Sequence, residues 1–363
     1  MTHTSFGSEK HWDHEELVVR RGRRSGLTTM VAAHSRVLGP AIGGCRLATY
    51  PDLDAAVRDV LRLSRAMTDK CAVAGVPFGG GKSVIAVPAG SALTADRRHA
   101  ALLDHADLIA ELDGSYVAGP DIGTGPEDML VFRSVSPHAF CVPEAHGGSG
   151  SSSGPTAVGV LAALRAAARA VLGTADLAGH RVVISGFGAV GTHLAANLAG
   201  AGAEVVVSDV DPERRRVARE LGLRWAEPEE ALTLGAHVVI PAAVGGVLDR
   251  ETVAGLDTPL VVGPANNQLA DDSVAADLAA RGIAWVPDFV ASAGGIIYTL
   301  AREVDGVPYG AALSRVEAIE ETVTNLLAAA ETAGTTMLHE ARTLARQRLS
   351  SGNTTTSACN TVN

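Results

Sequence analysis

The segment RVVISGFGAVGTHLAANLAGAGAEVVVSD constrains the fold more than any other part of the 363-residue chain. An apolar strand leads into a glycine-rich turn, an Ala-rich helix follows, and a second apolar strand ends at Asp209. Gly186, Gly188 and Gly191 have the GxGxxG spacing, which closes the turn tightly and lets a pyrophosphate approach the backbone. Asp209 follows Gly186 by 23 residues, where a carboxylate accepts a hydrogen bond from a ribose hydroxyl. The pattern predicts a Rossmann-type domain, and NAD as its cofactor, because a carboxylate repels the 2′-phosphate of NADP.

Strand and helix patterns divide the chain into two parts, on either side of the low-complexity segment GGSGSSSGP. In the second part, short apolar strands alternate with helices, which is typical of a parallel doubly wound sheet. The strands predicted there are 181–185, 204–208, 238–241, 260–262 and 284–286, and the helices are 156–171, 190–201, 212–221 and two more over 313–348. In the first part, the predicted strands are 16–20, 28–33 and 84–87, and the helices are 52–67 and 96–112. We expect an α/β protein with domains at 1–148 and 149–324, and a C-terminal helix at about 325–363 that packs back on the first domain.

Composition limits the classes of partner. The formal net charge of −10, from 30 basic and 40 acidic side chains, opposes binding to nucleic acid or to an anionic membrane, because phosphates are repelled. The sequence contains no apolar run long enough to cross a bilayer. Its four cysteines form no CxxC pair and no His/Cys ligand spacing, so we expect neither a metal site nor a disulfide framework. The expectation is a protein that handles small molecules in the reducing cytoplasm.

Three glycine-rich clusters in the first part carry residues suited to chemistry. In IGGCR, the adjacent Gly43 and Gly44 expose backbone N–H groups, which suits them to a carboxylate. The second cluster runs from MTDK to FGGGKS, and its Lys70 and Lys82 bracket a predicted glycine-rich bend. In GPDIGT, Asp121 lies in a constrained turn. Each cluster alone is equally compatible with solvated lysines, an Asx turn or an ordinary loop, but together they predict one site for acid–base work.

Taken together, the clusters resemble the Glu/Leu/Phe/Val dehydrogenase superfamily. The likeness runs through nearly the whole chain, in GPAIGGCR, MTDKCAVAGVPFGGGKSVI, YVAGPDIGT, the nucleotide fold, GPANNQLAD and PDFVASAGGIIY. Within the superfamily it is nearest to actinobacterial phenylalanine dehydrogenase, then to leucine and valine dehydrogenases. The resemblance implies NAD-dependent oxidative deamination of an aromatic or branched-chain L-amino acid to its 2-oxo acid and ammonia, and the reverse reductive amination. It also implies an N-terminal domain for substrate binding and oligomerisation, in a homo-oligomer of two or more subunits.

The roles of the family's site residues carry over onto matching positions of this sequence. By resemblance, Lys70 binds the substrate carboxylate, and Lys82 polarises the carbonyl or activates the attacking water. Asp121 shuttles protons to and from the amine, and Asn266, in PANN, contacts both substrate and nicotinamide. Main-chain contacts to the substrate are expected from Gly43 and Gly44. The cofactor contacts beyond the turn glycines and the acid are assigned to Ser152, Thr156, Ala189, Val190, Ala242 and Ala243.

The same resemblance assigns six residues to the pocket for the substrate side chain. They are Ile42, Gly119, Val290, Ile296, Thr299 and Leu300. This set includes no cation that would bind a second carboxylate, so glutamate is disfavoured as a substrate. Ile42 is bulkier than the residue of the resembled phenylalanine enzymes, Gly119 leaves room for a ring, and Thr299 is polar where the relatives are apolar. One methylene is worth only about 1–3 kcal/mol of discrimination, so the preferred amino acid stays open.

Two other functions remain possible at this point. A 2-hydroxy-acid dehydrogenase would usually need a His or Arg pair at the reacting carbon, and it would consume NADH without ammonium. A non-catalytic NAD-binding or NAD-sensing protein accounts for the nucleotide fold, but not for the two lysines and Asp121. Kinase or ATPase chemistry is not supported, because FGGGKS lacks the GxxxxGK[ST] frame of a P-loop.

Overall fold

The structure is a computed structural model that describes residues 12–359. The chain divides into two compact units. The first comprises the described residues up to Thr68 together with Pro77–Ala139, and the second comprises Asp69–Val76 and the described residues from Phe140 onward. Among the described helices, none is both long and apolar enough to span a membrane.

The first unit is built on a five-stranded mixed sheet. Its strands are β1 (Glu16–Arg21), β2 (Thr28–Ser35), β3 (Ala41–Tyr50), β4 (Gly79–Pro88) and β5 (Tyr116–Pro120). Their order is β1-β2-β4-β3-β5; β3 runs parallel to both β4 and β5, whereas β2 is antiparallel to β1 and β4. The helices are α1 (Leu53–Ala74), whose last residues belong to the second unit, α2 (Ala95–Glu111) and α3 (Pro126–Arg133).

The prediction of a glycine-rich bend before Val84 is wrong, because Gly79–Gly81 form the start of strand β4. Glycine is needed at these positions because the backbone of a neighbouring segment passes too close for a side chain. A Cβ on Gly80 would lie 2.1 Å from the backbone nitrogen of Thr68, and one on Gly43 would lie 1.9 Å from the carbonyl oxygen of Gly81. Strands β3 and β5 are also absent from the sequence prediction, and on β3 both Gly43 and Gly44 lie at such close contacts, because a Cβ on Gly44 would lie 2.7 Å from the carbonyl oxygen of Pro120. Tight approach between neighbouring segments therefore outweighs the low strand propensity of glycine.

The second unit contains a six-stranded, fully parallel sheet. Its strands are β6 (Arg181–Ser185), β7 (Glu204–Ser208), β8 (Arg224–Trp225), β9 (Val238–Pro241), β10 (Leu260–Val261) and β11 (Ala284–Trp285). Their order is β11-β10-β9-β6-β7-β8, with the first strand, β6, at the centre. The middle residues of β6, β7 and β9 are all buried, as expected of strands covered on both faces. The doubly wound parallel sheet predicted from the sequence is confirmed.

Ten helices and a short 3-10 turn (Glu144–His146) accompany this sheet in the described part of the second unit. The helices are α4 (Ser153–Val171), α5 (Ala189–Gly200), α6 (Pro212–Glu220), α7 (Arg250–Gly255), α8 (Val274–Ala280), α9 (Asp288–Ala291), α10 (Gly294–Glu303), α11 (Tyr309–Glu317), α12 (Ile319–Ala333) and α13 (Met337–Cys359). Where the sequence predicts two helices over 313–348, the structure has three. Helix α12 ends at Gly334, which adopts a left-handed φ of 65°; glycine in this conformation is a common helix terminator.

Candidate active site

Lys82 and Asp121 form an ion pair in the first unit. Lys82 lies on β4 and Asp121 directly follows β5, so the two residues flank the intervening strand β3. The Nζ atom of Lys82 lies 3.0 Å from Oδ2 of Asp121, and the side chains are only 5% and 14% exposed. The amine and the carboxylate are thus largely shielded from water, so their charges interact strongly.

A third charged group, not identified in the sequence analysis, belongs to the same cluster. Arg46 lies on β3, and its Nε donates a hydrogen bond of 2.8 Å to the Oδ2 atom of Asp121 that also contacts Lys82. The Asp121 turn is fixed in place as well, because Thr124 Oγ1 accepts the N–H of Asp121 and donates to the carbonyl oxygen of Cys45. The carboxylate is therefore held by two cations on a rigid support.

The charges around Asp121 decide its protonation state. Burial alone would raise the pKa of Asp121, but the charges of Lys82 and Arg46 and their hydrogen bonds outweigh burial and lower it to about 2. At neutral pH this group is a carboxylate. It can accept a proton there, and the neighbouring cations ensure that the proton is held only weakly.

Gly44 is required beside this cluster. A Cβ atom at this position would lie 2.8 Å from Cβ of Asp121 and 3.2 Å from Nζ of Lys82. Any larger residue would therefore push against both side chains of the ion pair. Glycine at this position in IGGCR is explained by space, and a backbone contact from Gly43 or Gly44 to a substrate carboxylate stays a prediction.

Buried polar contacts support the strands behind Lys82. His105 contacts Ser83 Oγ through Nε2 at 2.9 Å, and its Nδ1 makes a short contact with the Thr29 hydroxyl. Burial lowers the pKa of His105 to about 3, so its ring is neutral at physiological pH. The hydroxyl of Tyr116 donates to the carbonyl oxygen of Gly43 at 2.8 Å. These bonds join β2, β4, β5, β3 and α2, and they satisfy polar groups that would be costly to bury alone.

Lys70 and Asn266 form the corresponding polar pair in the second unit. Lys70 lies near the end of α1, and its Nζ donates to Oδ1 of Asn266 at 3.0 Å. The next residue, Asn267, has a φ of 53°, and its N–H donates to the carboxylate of Asp288 at 2.8 Å. Burial raises the pKa of Asp288, against the opposing effects of the Asn267 N–H and the charge of Lys70. Asp288 therefore fixes the turn that presents Asn266.

Arg348 caps the end of the helix that carries Lys70. Its Nη1 atom, on α13, donates to the carbonyl oxygen of Ala72 at 2.7 Å and also to that of Val73. Carbonyl groups in the last turn of a helix have no partner within the helix, and a guanidinium there also opposes the negative end of the helix dipole. The position of Lys70 within this unit thus depends on a residue far along the sequence.

The glycine-rich turn fits a dinucleotide. A Cβ on Gly186, which has a φ of 116°, would lie within 2.6 Å of the backbone of Ala242 and Ala243. Gly188 caps α5, and a Cβ on it would meet no atom within 4 Å, so the backbone is open at the helix N-terminus formed by Ala189 and Val190. Free N–H groups at such a terminus suit a pyrophosphate. Gly191 faces the other way, where a Cβ would lie 2.1 Å from the Gly186 carbonyl oxygen.

Asp209 follows β7 and contacts the same turn. Its Oδ2 accepts the backbone N–H of Phe187 at 2.7 Å, and its Oδ1 accepts that of Asp211 at 3.0 Å. Each carboxylate oxygen has a second lone pair, so a ribose hydroxyl can also donate to this group. The residues of the turn, its flanking helix and this acid together could hold the adenosine diphosphate part of a dinucleotide.

The remaining predicted cofactor contacts lie at the start of α4. Ser152 caps α4, and the N–H of Thr156 donates to its carbonyl oxygen at 2.8 Å. A Cβ on Gly295, in the first turn of α10, would lie 2.7 Å from Oγ1 of Thr156. Ser152 and Thr156 are therefore neighbours, packed against α10, and their contact with a carboxamide stays a prediction.

Of the six residues predicted to line the side-chain pocket, Ile42 and Gly119 lie in the first unit, and the other four lie in the second, where Val290 on α9 and Leu300 on α10 are buried. Ile42 is buried on β3, and Gly119, on β5, has open space where a side chain would begin. Ile296 and Thr299 lie on α10, where Ile296 is half-buried and the Thr299 hydroxyl lies 3.2 Å from Sγ of Cys141. The hydroxyl of Thr299 is therefore already engaged, which explains how a polar residue is accommodated there.

One signal in the composition could have singled out the two lysines. The chain contains 30 lysines and arginines, of which Lys10, Lys70 and Lys82 are the only lysines. Arginine therefore serves nearly every other cationic position, and it stays charged throughout the physiological pH range. Lysine instead presents a compact ammonium group with three donors, so its use at positions 70 and 82 marks these positions as ones where that geometry matters.

Three family models match the chain. Residues 14–136 match the Glu/Leu/Phe/Val dehydrogenase dimerisation domain, and residues 215–356 match Glutamate/Leucine/Phenylalanine/Valine dehydrogenase. Residues 162–246 match the NAD binding domain of D-isomer specific 2-hydroxyacid dehydrogenase. That third match is confined to the segment around the glycine-rich turn, so it describes the nucleotide fold and does not include Lys82 or Asp121.

Individual relatives cover almost the entire chain. A valine dehydrogenase of Streptomyces virginiae is 38% identical over 353 residues, which are 96% of this chain and 97% of the relative. A phenylalanine dehydrogenase of Caldalkalibacillus thermarum is 34% identical over 343 residues, 93% of this chain and 91% of the relative. The crystal structure of L-tryptophan dehydrogenase from Nostoc punctiforme matches with a TM-score of 0.74 at 30% identity, over 94% of this chain and 97% of that one. The resemblance found in the sequence is thus confirmed, and the chain belongs to the Glu/Leu/Phe/Val dehydrogenase family.

Proposed function

We propose that this chain is an NAD-dependent L-amino-acid dehydrogenase, which deaminates a hydrophobic amino acid to its 2-oxo acid and ammonia and catalyses the reverse reductive amination. The observation that carries the proposal is the buried contact of 3.0 Å between Lys82 and Asp121. The relatives support the substrate class, since they are named valine, phenylalanine and L-tryptophan dehydrogenases. An aromatic or branched-chain side chain fits this set.

Lys82 stabilises oxygen in the proposed reaction. Its ammonium group donates hydrogen bonds, so it can polarise the carbonyl oxygen of a 2-oxo acid, or hold the water that adds to the imine carbon. Negative charge develops on that oxygen as the carbon becomes tetrahedral, and a fixed cation in a nearly dry site lowers the energy of this state. The side chain of Lys82 is only 5% exposed, so little bulk water competes for it.

Asp121 moves protons at the substrate nitrogen. As a carboxylate with a pKa of about 2 it is ionised before substrate binds, and it can accept a proton from the amine. After water has added and the tetrahedral carbon has formed, Asp121 returns a proton to the nitrogen, which leaves as ammonia. A weakly held proton is returned easily, which suits a group that must both accept and donate in one cycle.

Lys70 and Asn266 bind the substrate in this proposal. The Lys70 ammonium pairs with the α-carboxylate, and the Asn266 amide, which contacts Lys70 at 3.0 Å, orients it. Such contacts place the Cα–H bond for reaction without taking part in it. A bound NAD would supply the hydride acceptor for the substrate Cα–H bond that these residues orient.

The proposal includes NAD as the cofactor, held by the Gly186–Gly191 turn and by Asp209. The Asp209 carboxylate lies where the adenosine ribose is expected, and it would repel a 2′-phosphate. In Asp209→Ala we expect the preference for NAD over NADP, as a ratio of kcat/KM values, to fall about tenfold or more, because one charge-assisted hydrogen bond and one repulsion are lost. An unchanged ratio would count against this role.

We also propose a homo-oligomer of two or more subunits. The family model matched by residues 14–136 is described as a dimerisation domain, which supports the assignment. Light scattering of the purified chain should give a mass of at least twice 37.1 kDa.

The proposed activity is tested with a panel of 2-oxo acids. We expect NADH consumption with the oxo acids of phenylalanine, leucine, valine and tryptophan, in each case only when ammonium is present. Consumption without ammonium, with a 2-hydroxy acid as product, would identify the alternative dehydrogenase instead. Binding of NADH without turnover of any oxo acid would identify the non-catalytic alternative.

A further inference from the structure

Arg46 contacts two carboxylates at once. Its Nε donates to Oδ2 of Asp121 at 2.8 Å, and its Nη1 donates to Oδ2 of Asp59, on α1, at 2.9 Å. The side chains of Arg46 and Asp59 are largely buried. The guanidinium therefore connects the catalytic pair with a carboxylate that has no part in the proposed chemistry.

Asp59 is itself held firmly. The hydroxyl of Tyr50 donates to its Oδ2 at 2.8 Å, and Nη2 of Arg62, a half-exposed residue on the same helix, donates to its Oδ1 at 2.9 Å. Burial would raise the pKa of Asp59, but the Tyr50 hydrogen bond and the charge of Arg46 lower it. Asp59 is thus a fixed negative charge that anchors Arg46 through Nη1, whereas Asp121 is bound through Nε.

The contacts leave one oxygen of Asp121 for the reaction. Lys82 and Arg46 both contact Oδ2, whereas Oδ1 accepts no hydrogen bond from any other residue within 12–359. Removal of Arg46 would leave the carboxylate free to rotate about its last bond. It would also leave Lys82 as the single cation in contact with Asp121.

We propose that Arg46 is a positioning residue for the deamination proposed above, which orients Asp121 so that Oδ1 accepts the proton, and that Asp59 acts through Arg46. This inference rests on the proposed function. Arg46 binds the carboxylate laterally through Nε and spans to Asp59 through Nη1, and the planar guanidinium makes both contacts in one fixed geometry. A lysine could replace the charge but not both directional bonds.

The charged groups around Asp121 determine how its pKa should change when Arg46 is removed. Lys82 faces it from β4, Arg46 from β3, and Asp59 acts from α1 through Arg46. The thiol of Cys45, also on β3, is neutral, because burial raises its pKa to about 12. The main effect of deleting Arg46 is therefore the loss of one positive charge beside Asp121, which raises the pKa of that carboxyl.

The test begins with Arg46→Gln and Arg46→Lys. In Arg46→Gln we expect the acid limb of the kcat/KM profile to move about 1–2 pH units upward, since a contacting charge shifts a carboxyl by about that much. We expect kcat to fall at least about tenfold with KM for the amino acid within about twofold, because Arg46 does not touch substrate. Arg46→Lys should restore most of the pH profile but not all of kcat.

Asp59→Asn tests the second contact. Alone it should lower kcat several-fold, and in the Arg46→Gln background it should have no further effect, because Asp59 acts only through the guanidinium. Arg58→Gln, an exposed position on the same helix, is the matched control and should behave as the wild type. Independent, additive losses in the double variant would overturn the inference, as would an unmoved acid limb in Arg46→Gln.

A direct titration separates this inference from the proposed function. The side-chain carboxyl carbon of Asp121 can be followed by NMR in protein labelled at aspartate, with Asp121→Asn identifying the signal. Even in a chain that turned over no amino acid, the Asp121 signal should titrate about 1–2 pH units higher in Arg46→Gln than in the wild type. Equal titrations would overturn the inference, whatever the activity of the chain.

Discussion

Asp121 and Asp288 are both buried, one in each unit, yet their protonation is pushed in opposite directions. The pKa of Asp121 is lowered to about 2, and that of Asp288 is raised. Burial disfavours the charged form of both. The difference lies in the groups that touch them: Asp121 contacts Lys82 and Arg46, whereas Asp288 contacts the backbone N–H of Asn267.

This difference fits the chemical role proposed for Asp121 and a structural role for Asp288. A carboxylate held by two cations stays ionised and can take part in proton transfer at neutral pH. A buried carboxyl that accepts a backbone N–H fixes the chain locally, and Asp288 does so at the turn that presents Asn266. Burial alone is therefore a poor guide to function, and direct cationic contacts are a better one.

Substitution of Lys82 should have the largest effect, because it removes the amine that stabilises the substrate oxygen in the proposed reaction and that contacts Asp121 at 3.0 Å. In both Lys82→Ala and Lys82→Arg we expect turnover to fall by about 10²–10⁴. The arginine variant keeps the positive charge, but its longer side chain and planar guanidinium cannot match the position of the amine. NADH binding, measured by fluorescence, should stay as in the wild type. Near-normal turnover in either variant would remove the proposed mechanism.

The opposite pKa shifts should appear as opposite pH dependences of stability. Because the pKa of Asp121 is lowered from 3.8 to about 2 on folding, its contribution of about 2 kcal/mol is present above pH 4 and is lost as the pH falls through 2. Asp121→Asn should therefore cost more stability at pH 7 than at pH 3. The pKa of Asp288 is raised, so its ionisation destabilises the fold as the pH rises above 3.8. The relative stability of Asp288→Asn should improve between pH 3 and pH 7.

Urea unfolding of the wild type and both variants at several pH values measures these trends. The slope of unfolding free energy against pH should differ from the wild type in opposite senses for the two variants. If both variants differed from the wild type in the same sense, the cations would not set the pKa of Asp121, and burial would set the pKa of both carboxyls.

Removal of Arg348 should have the smallest effect, on substrate binding rather than on turnover. In Arg348→Met the carbonyl oxygens of Ala72 and Val73 lose their cap, which loosens the end of the helix that carries Lys70. We expect KM for the amino acid to rise about two- to fivefold, equivalent to about 0.4–1 kcal/mol, with kcat nearly unchanged. Arg346→Met, at an exposed position on the same helix, is the control. A fall in kcat without a change in KM would contradict this assignment.

The sequence predicted the nucleotide-binding sheet better than the mixed sheet, for a physical reason. Strands β6, β7 and β9 have the predicted bounds, because continuous apolar runs between glycine-rich turns are a local signal. Strand β3 contains Gly43 and Gly44, and β4 begins with three glycines, so local propensity favours loops there. Only contacts with distant segments make these residues strands.

The site was predictable where residues lie in recognisable clusters, and not where it depends on distant contacts. Lys82 and Asp121 were assigned from their motifs, and the structure brings them together. Arg46 lies in the IGGCR cluster with Gly44, but its role depends on Asp121, 75 residues away. Asp59 has no motif at all, and only the fold brings it to Arg46.

The central claim is that Asp121 exchanges protons with the substrate nitrogen. It is tested most directly by the turnover number of Asp121→Asn in reductive amination, with NADH affinity measured on the same preparation. Asparagine keeps the size of the side chain and removes its ability to take up a proton. The account predicts that turnover falls by about 10²–10⁴ while NADH binds as in the wild type. Turnover within a few-fold of the wild type would contradict it.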